Sequence, residues 1–318
     1  MIPIWKDYTI NVSASVAWFE VYDNDIFGDL LYYGKVVAKP NAATVEIKLN
    51  SICADYLTSE LSTFNNGLTL QPALSRTFAV RYKTSEAGAW SAPVSVEFYN
   101  DWSYEADFDA DTTGCLSYPI TGEMDRRQPL FYTYGKIGTA MINDGFVTSQ
   151  SFSGAGTLKV SEELAANDKV IITADGLQTT YRLLPACYRY ALYYVNAFGG
   201  WDSLLIKGTS VESEDYKRKS IDAAYDNKIR TARGKRDYLN EVTRKMVLHS
   251  GWLSEEESGR MGHLLGSNLV FLYDIVEGTF TPAVITNSSW TKQDYDSEAN
   301  SPIDYEIQIE IARDYDRR

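Results

Sequence analysis

The chain has 318 residues, 44% hydrophobic and 23% charged, which is enough apolar material for two or three domains with cores of their own. A net charge of −13 argues against a general binder of nucleic acid or of anionic membrane, since both need a cationic surface. The 23 Tyr, 12 Phe and 7 Trp favour pleated surfaces and interfaces, because each Tyr or Trp joins a large apolar body to a polar handle.

Residues 1 to about 100 read as short strands. Met1–Tyr8 shows neither a basic n-region nor an apolar h-region, so no signal peptide is expected, and no run of about 18 apolar residues predicts a membrane span. Ser15–Tyr22 is largely apolar, Asp23–Asp25 breaks it, and Leu30–Tyr33 resumes. Ala43–Leu49 alternates, which places Val45, Ile47 and Leu49 on one face. Asn50–Leu57 fits one helical turn. Thr77–Lys83 and Val94–Phe98 alternate around a turn at Thr84–Gly88. Strands at this spacing predict a β-sandwich of immunoglobulin or fibronectin type III style over 1–104.

Residues 105–208 predict a second β-sandwich. An acidic connector leads into strands at Thr157–Val160, Lys169–Thr173, Gln178–Leu183, Tyr188–Val195 and Ser203–Lys207. Gly199 and Gly200 suit a hairpin turn that needs positive φ. From 209 the chain turns polar. Lys217, Arg218 and Lys219 form one basic cluster, and Arg230 and Arg233 lie in a second, so the stretch reads as a long extended strand or an exposed arm. In an acidic protein such clusters can dock on an acidic neighbour.

A third module, the end of the 209–318 segment, begins with a long alternating strand from Tyr238, with Val242, Met246, Leu248 and Trp252 on its apolar face. Ser254 predicts a helix N-cap, with Glu257 at N3 completing a capping box and Glu255 and Glu256 complementing the helix dipole. Met261, Leu264 and Leu265 form the buried stripe, and Gly266 can end the helix in the left-handed region. Strands follow at Leu269–Tyr273, Phe280–Ile285 and Ser289–Gln293. Tyr305–Ile311 closes the module with Tyr305, Ile307, Ile309 and Ile311 inward and Glu306, Gln308 and Glu310 outward.

Chemistry is sparsely signalled. His249 and His263 are the only histidines, and neither has a partner at metal-ligand spacing. There is no GxSxG, Walker A or GxGxxG motif, so no enzyme activity and no cofactor are predicted. Cys53, Cys115 and Cys187 are far apart, without a CxxC pair, and each is expected to be a small buried hydrophobe in a reducing environment. Asp107, Asp109 and Asp111 supply oxygens at alternate positions, a weak calcium pattern, but Thr112 stands where an EF-hand loop needs Gly and Tyr118 where it needs a carboxylate. Trp90, Trp201 and Trp290 could stack on sugars, and Trp201 is the glycan-stacking candidate. For an interface the candidates are Trp252, Phe271, Tyr273 and Trp290 with the basic residues of the arm.

The phrases "GWLSEEESGRMGHLLGSNLVFLYD", "FTPAVITNSSWTKQ" and "YEIQIEIA" follow the order long strand, capped helix, strand, hairpin, closing strand. That order resembles the tail-tube-like fold of phage tail tubes, distal tail proteins and related baseplate or adaptor subunits. "LNSICADYL" and "YRYALYYVNAFGGWDSLLIKG" are similar to virion proteins of phages of gut Bacteroidetes. In distal tail proteins the tube-like module usually comes first, whereas here it comes last. The resemblance implies a mainly β chain, two β-sandwiches followed by a tail-tube-like module with one short helix. It also implies a non-enzymatic, ring-forming subunit of the virion tail, made in the host cytoplasm. Its partners would be further copies of itself and other tail proteins, with no nucleic acid and no membrane insertion. The competing expectation is a carbohydrate-binding or cell-surface adhesion module that takes a host glycan.

Overall fold

A computed structural model of the chain describes residues 2–4, 6–58, 67–101, 115–117, 120–143, 147–160, 169–222, 235–287 and 304–311. The protein is mainly β, built from several largely antiparallel sheets with a few short helical turns. Its contacts gather into two compact units, each drawn from separated stretches of chain. One comprises Met1–Thr121, Pro129–Leu184 and Val195–Asp202, the other Gly122–Gln128, Pro185–Tyr194 and Ser203–Arg318.

In the first unit a five-stranded sheet runs in the order Ile2–Pro3, Val94–Tyr99, Ser75–Lys83, Val16–Asp23, Leu30–Val37. A second, two-stranded sheet pairs Thr9–Val12 with Val45–Lys48. The alternation at Val45, Ile47 and Leu49 does what period 2 requires, because all three are fully buried while Glu46 and Lys48 point outward. They pack with Phe19, Val21, Phe78, Val80, Val96 and Phe98 into one core. The helical turn expected after Leu49 is present as Asn50–Cys53 and Ala54–Tyr56. Asn50 holds it down: its Oδ1 accepts from the Tyr8 amide at 2.8 Å, and its Nδ2 donates to the Ile4 carbonyl.

Also in this unit, Gly156–Val160 lies between Leu130–Tyr134 and Gly67–Leu70, and a meander runs Val147–Phe152, Gly138–Asn143, Lys169–Ala174, Leu177–Leu184. Gly199 sits at φ +85, where a Cβ would fall 1.6 Å from the Asn100 carbonyl oxygen, so the turn at 196–200 admits only glycine there. Gly200 has no positive φ; it is required by closeness instead, 2.2 Å from the Leu116 carbonyl oxygen.

The second unit holds most of a seven-stranded sheet whose order is Trp201–Leu205, Tyr190–Val195, Val270–Asp274, Thr279–Ile285, Glu306–Ile311, Lys235–His249, Ser210–Asp222. One face packs Leu192, Met246, Leu248, Leu272, Ile307 and Ile309 against Leu253 and against Met261 and Leu264 of the helical turns. The capping box forms as expected: Ser254 Oγ accepts from the Glu257 amide at 3.2 Å, and Glu257 Oε2 accepts from the Ser254 amide at 3.0 Å. Three expectations need correction. The helix is two short segments, Glu255–Gly259 and Met261–Gly266, divided at Arg260. Gly266 ends the second without positive φ, and the chain leaves through an extended Ser267. Trp252 does not continue the apolar face of the long strand, because that strand stops at His249 and Gly251, at φ +70, turns the chain so that the indole is 74% exposed.

Candidate functional site

Two features of the second unit stand out, a projecting ribbon and a polar groove. The ribbon comes from mismatched strand lengths. Lys235–His249 is 15 residues long, but Glu306–Ile311 pairs only with Lys245–His249. Beyond Lys245 the long strand has a single described neighbour, Ser210–Asp222, to which it stays paired out to Asp222↔Lys235. Residues 214–222 and their partners thus form a two-stranded ribbon reaching roughly 30 Å past the sheet at about 3.3 Å per residue. Ion pairs tie its base, with Arg244 Nε to Glu214 Oε1 at 3.1 Å and Lys245 Nζ to Asp215 Oδ2 at 2.6 Å. The Tyr216 hydroxyl donates to the Glu214 carboxylate, and the Arg218 guanidinium lies over the Tyr216 ring at 5.9 Å. Asp215 through Ser220 are exposed. The expected long extended strand is therefore present, with Lys217, Arg218 and Lys219 on it, whereas Arg230 and Arg233 lie outside the described residues.

The groove encloses about 690 Å³ and is lined by Glu123, Tyr188, Lys207, Gly208, Thr209, His249, Gly251, Trp252 and Asp304. Lys207 is its charge centre. Its Nζ lies 3.0 Å from Glu123 Oε2 and 3.6 Å from Glu257 Oε2. Glu257, itself buried, also accepts the Glu123 amide at 3.1 Å. On the opposite wall His249 Nδ1 stands 3.6 Å from Asp304 Oδ2, while Asp304 Oδ1 takes the Gly251 amide at 2.9 Å. The buried Asp125 carboxylate accepts the backbone amides of Cys187 and Tyr188 at 3.2 Å each, which sets Tyr188 at the rim. The exposed Trp252 indole completes the wall. A flat apolar ring beside hydrogen-bonding carboxylates can stack on and orient a polar, ring-shaped ligand.

Of the remaining candidates, Trp201 is corrected outright. It is fully buried, with its amide donating to Thr133 Oγ1 at 3.0 Å, so no sugar can reach its face. Tyr273 is buried against Phe280 at 4.4 Å and Tyr193 at 5.7 Å between ring centroids, and Phe271 is half-buried. Neither is an exposed interface anchor. Trp90 is half-buried beneath the cationic groups of Arg81 and Lys83. Trp290 and the Asp107, Asp109, Asp111 set lie outside the described residues, and among the described ones no cluster of His, Cys, Asp or Glu could hold a metal ion. Cys53 and Cys115 are buried as expected, but Cys187 is exposed. No described helix is long and apolar enough to cross a membrane.

Glu123, Lys207 and Asp304 had no signal in the sequence, because the pairs they form join residues 50 to 134 positions apart that only the folded sheet brings together. The acidic half of the ribbon strand, Glu212 to Asp215, stands directly before the basic cluster in the sequence.

No protein-family model matches the sequence, and no curated protein does. Among solved structures the chain is similar to the full extracellular region of plexin A4, at 9% identity and a TM-score of 0.17. That alignment covers 98% of this chain and 35% of the plexin chain. The likeness is too slight to transfer a fold or a function.

Proposed function

We propose that the protein is a non-enzymatic structural subunit of a multi-copy assembly of the phage tail or baseplate kind, built into a ring and docked on neighbouring virion proteins. The observation that carries this reading is the ribbon. A two-stranded hairpin is marginally stable alone in water, and an open edge is a template for further pairing. A ribbon of this length gains its stability by lying on, or pairing with, another chain. Its exposed Lys217, Arg218 and Lys219 suit the acidic surface of a chain with net charge −13. The test is a trimmed protein in which Asp215 and Thr243, a paired rung, are joined by an Asn-Gly turn. The full chain is expected to form rings or higher oligomers in electron micrographs and sedimentation, and the trimmed chain to stay monomeric with its circular dichroism intact. A full chain that stays monomeric at its highest soluble concentration, alone and with the products of neighbouring genes, overturns the reading.

A second reading, carbohydrate binding, is favoured by the groove at Trp252 rather than by Trp201. If it holds, Trp252→Ala abolishes binding on a glycan array while leaving thermal stability unchanged, and an array without hits for the intact chain removes it.

A further inference from the structure

The edge strand itself names the partner. Ser210–Asp222 is the border of the seven-stranded sheet, and no described strand pairs with its outer side. Its sequence is divided about its centre. Glu212, Glu214 and Asp215 fall before Tyr216, and Lys217, Arg218 and Lys219 fall after it. We infer that this strand pairs antiparallel with the same strand of a second copy, about a two-fold axis through Tyr216. The pairing rests on the assembly reading and names its two-copy unit: a two-fold contact closes on itself, so a ring is built from these dimers through a second, head-to-tail contact.

Register decides the matter. Residues directly opposite in an antiparallel pair project to the same face, and rotation about an axis normal to the sheet preserves that face. The axis must therefore pass through a residue, not between two. Placed on Tyr216, it sets Asp215 opposite Lys217 of the partner subunit and Glu214 opposite Arg218 of the partner subunit, and by symmetry each contact occurs twice. Moved to Asp215 or to Lys217, the axis would put that charge opposite its own copy, and like charges directly opposite are destabilising. Tyr216 is thus the centre that makes two kinds of ion pair with no like-charge pair.

The neighbours agree with this placement. Glu214 would sit between its own Arg244 and Arg218 of the partner subunit, on the face of the Tyr216 ring. Asp215 would sit between its own Lys245 and Lys217 of the partner subunit, on the other face. Tyr216, half-exposed now at 50%, would face the partner's Tyr216 across the axis. The register shift between Lys219 and Ser220 bends the outer end of the ribbon, so the seven residues Ser213–Lys219 form the centre of the contact.

Site-directed crosslinking of the full chain in a Cys187→Ser background tests the axis. Tyr216→Cys places two sulfurs across the two-fold, where opposite Cβ atoms are about 5 Å apart, and an intermolecular disulfide is expected on mild oxidation. Val211→Cys is the control, because its two copies lie about 33 Å apart along the paired strands. In sedimentation, Lys217→Glu with Arg218→Glu is expected to weaken self-association at least tenfold, roughly the effect of reversing four cross-strand ion pairs. Equal crosslinking at 211 and 216, or none at 216 in a chain that still assembles, overturns the two-fold pairing and leaves the assembly reading standing. A chain that never self-associates overturns both.

Discussion

Glu257 ties together three parts of the second unit, since its carboxylate meets the Ser254 amide, the Glu123 amide and the Lys207 ammonium while buried. Ser254→Ala removes one side of a capping box and is expected to cost about 1 kcal/mol in urea unfolding. Glu257→Ala removes the same box and also strands a charge and an amide, so the expected cost is larger, about 3 kcal/mol. Equal losses for the two variants would show that the Lys207 contact contributes nothing. The thiols offer a second reading at this scale. Burial pushes the Cys53 and Cys115 thiols up to about 12, so both stay protonated and unreactive at neutral pH. An aromatic disulfide reagent is expected to label one cysteine per native chain, the exposed Cys187, and three after denaturation. The capping box could be read from residue spacing alone because it is a local rule. The exposure of Cys187 and the burial of Trp201 could not, because side-chain type states only what a residue prefers, and tertiary neighbours decide what it gets.

Among the elements, the long hairpin shows how far alternation carries. The alternating pattern predicted a strand, and the strand is there; what the pattern does not reveal is which rungs have a third strand beside them. Among the described residues, Lys245–His249 do. At the ribbon base the Lys245–Asp215 pair is exposed. Lys245, by its hydrogen bond and its charge, holds the Asp215 carboxyl below its ordinary value. A folded-state value lower than the unfolded one means that the contribution of Asp215 is present above the unfolded value and is lost as pH falls through the folded one. Carbon NMR of the Asp215 carboxyl should place its midpoint below 3.8, and Lys245→Ala should return it there. A midpoint unmoved by that substitution would separate the two groups. Because the pair is exposed and screened by solvent, Lys245→Ala is expected to leave the urea midpoint nearly unchanged.

Seen whole, the molecule is a β protein whose strand types could be read from the chain and whose strand order could not. Val45, Ile47 and Leu49, like Ile307 and Ile309, announce their buried faces by alternation, but nothing local says that Glu306–Ile311 lies between Thr279–Ile285 and Lys235–His249. Ile309 meets Met246 and Ile307 meets Leu248 in that register, all four buried. Ile307→Ala is expected to cost about 2–4 kcal/mol as a cavity at the centre of the sheet, measurable as a lower urea midpoint. The same insertion has a consequence in time. The strand that completes this sheet is the last of its described strands to be synthesised, and Tyr305 finds Ser250 at a distance of 55 positions along the chain. Until it arrives, Met246 and Leu248 lack Ile309 and Ile307 beside them, and the long hairpin has an open edge on both sides. Growth of the sheet must then wait on a distant segment, a late and slow closure of the kind that high contact order imposes. A nascent chain at that stage is the form most exposed to mispairing with its own copies.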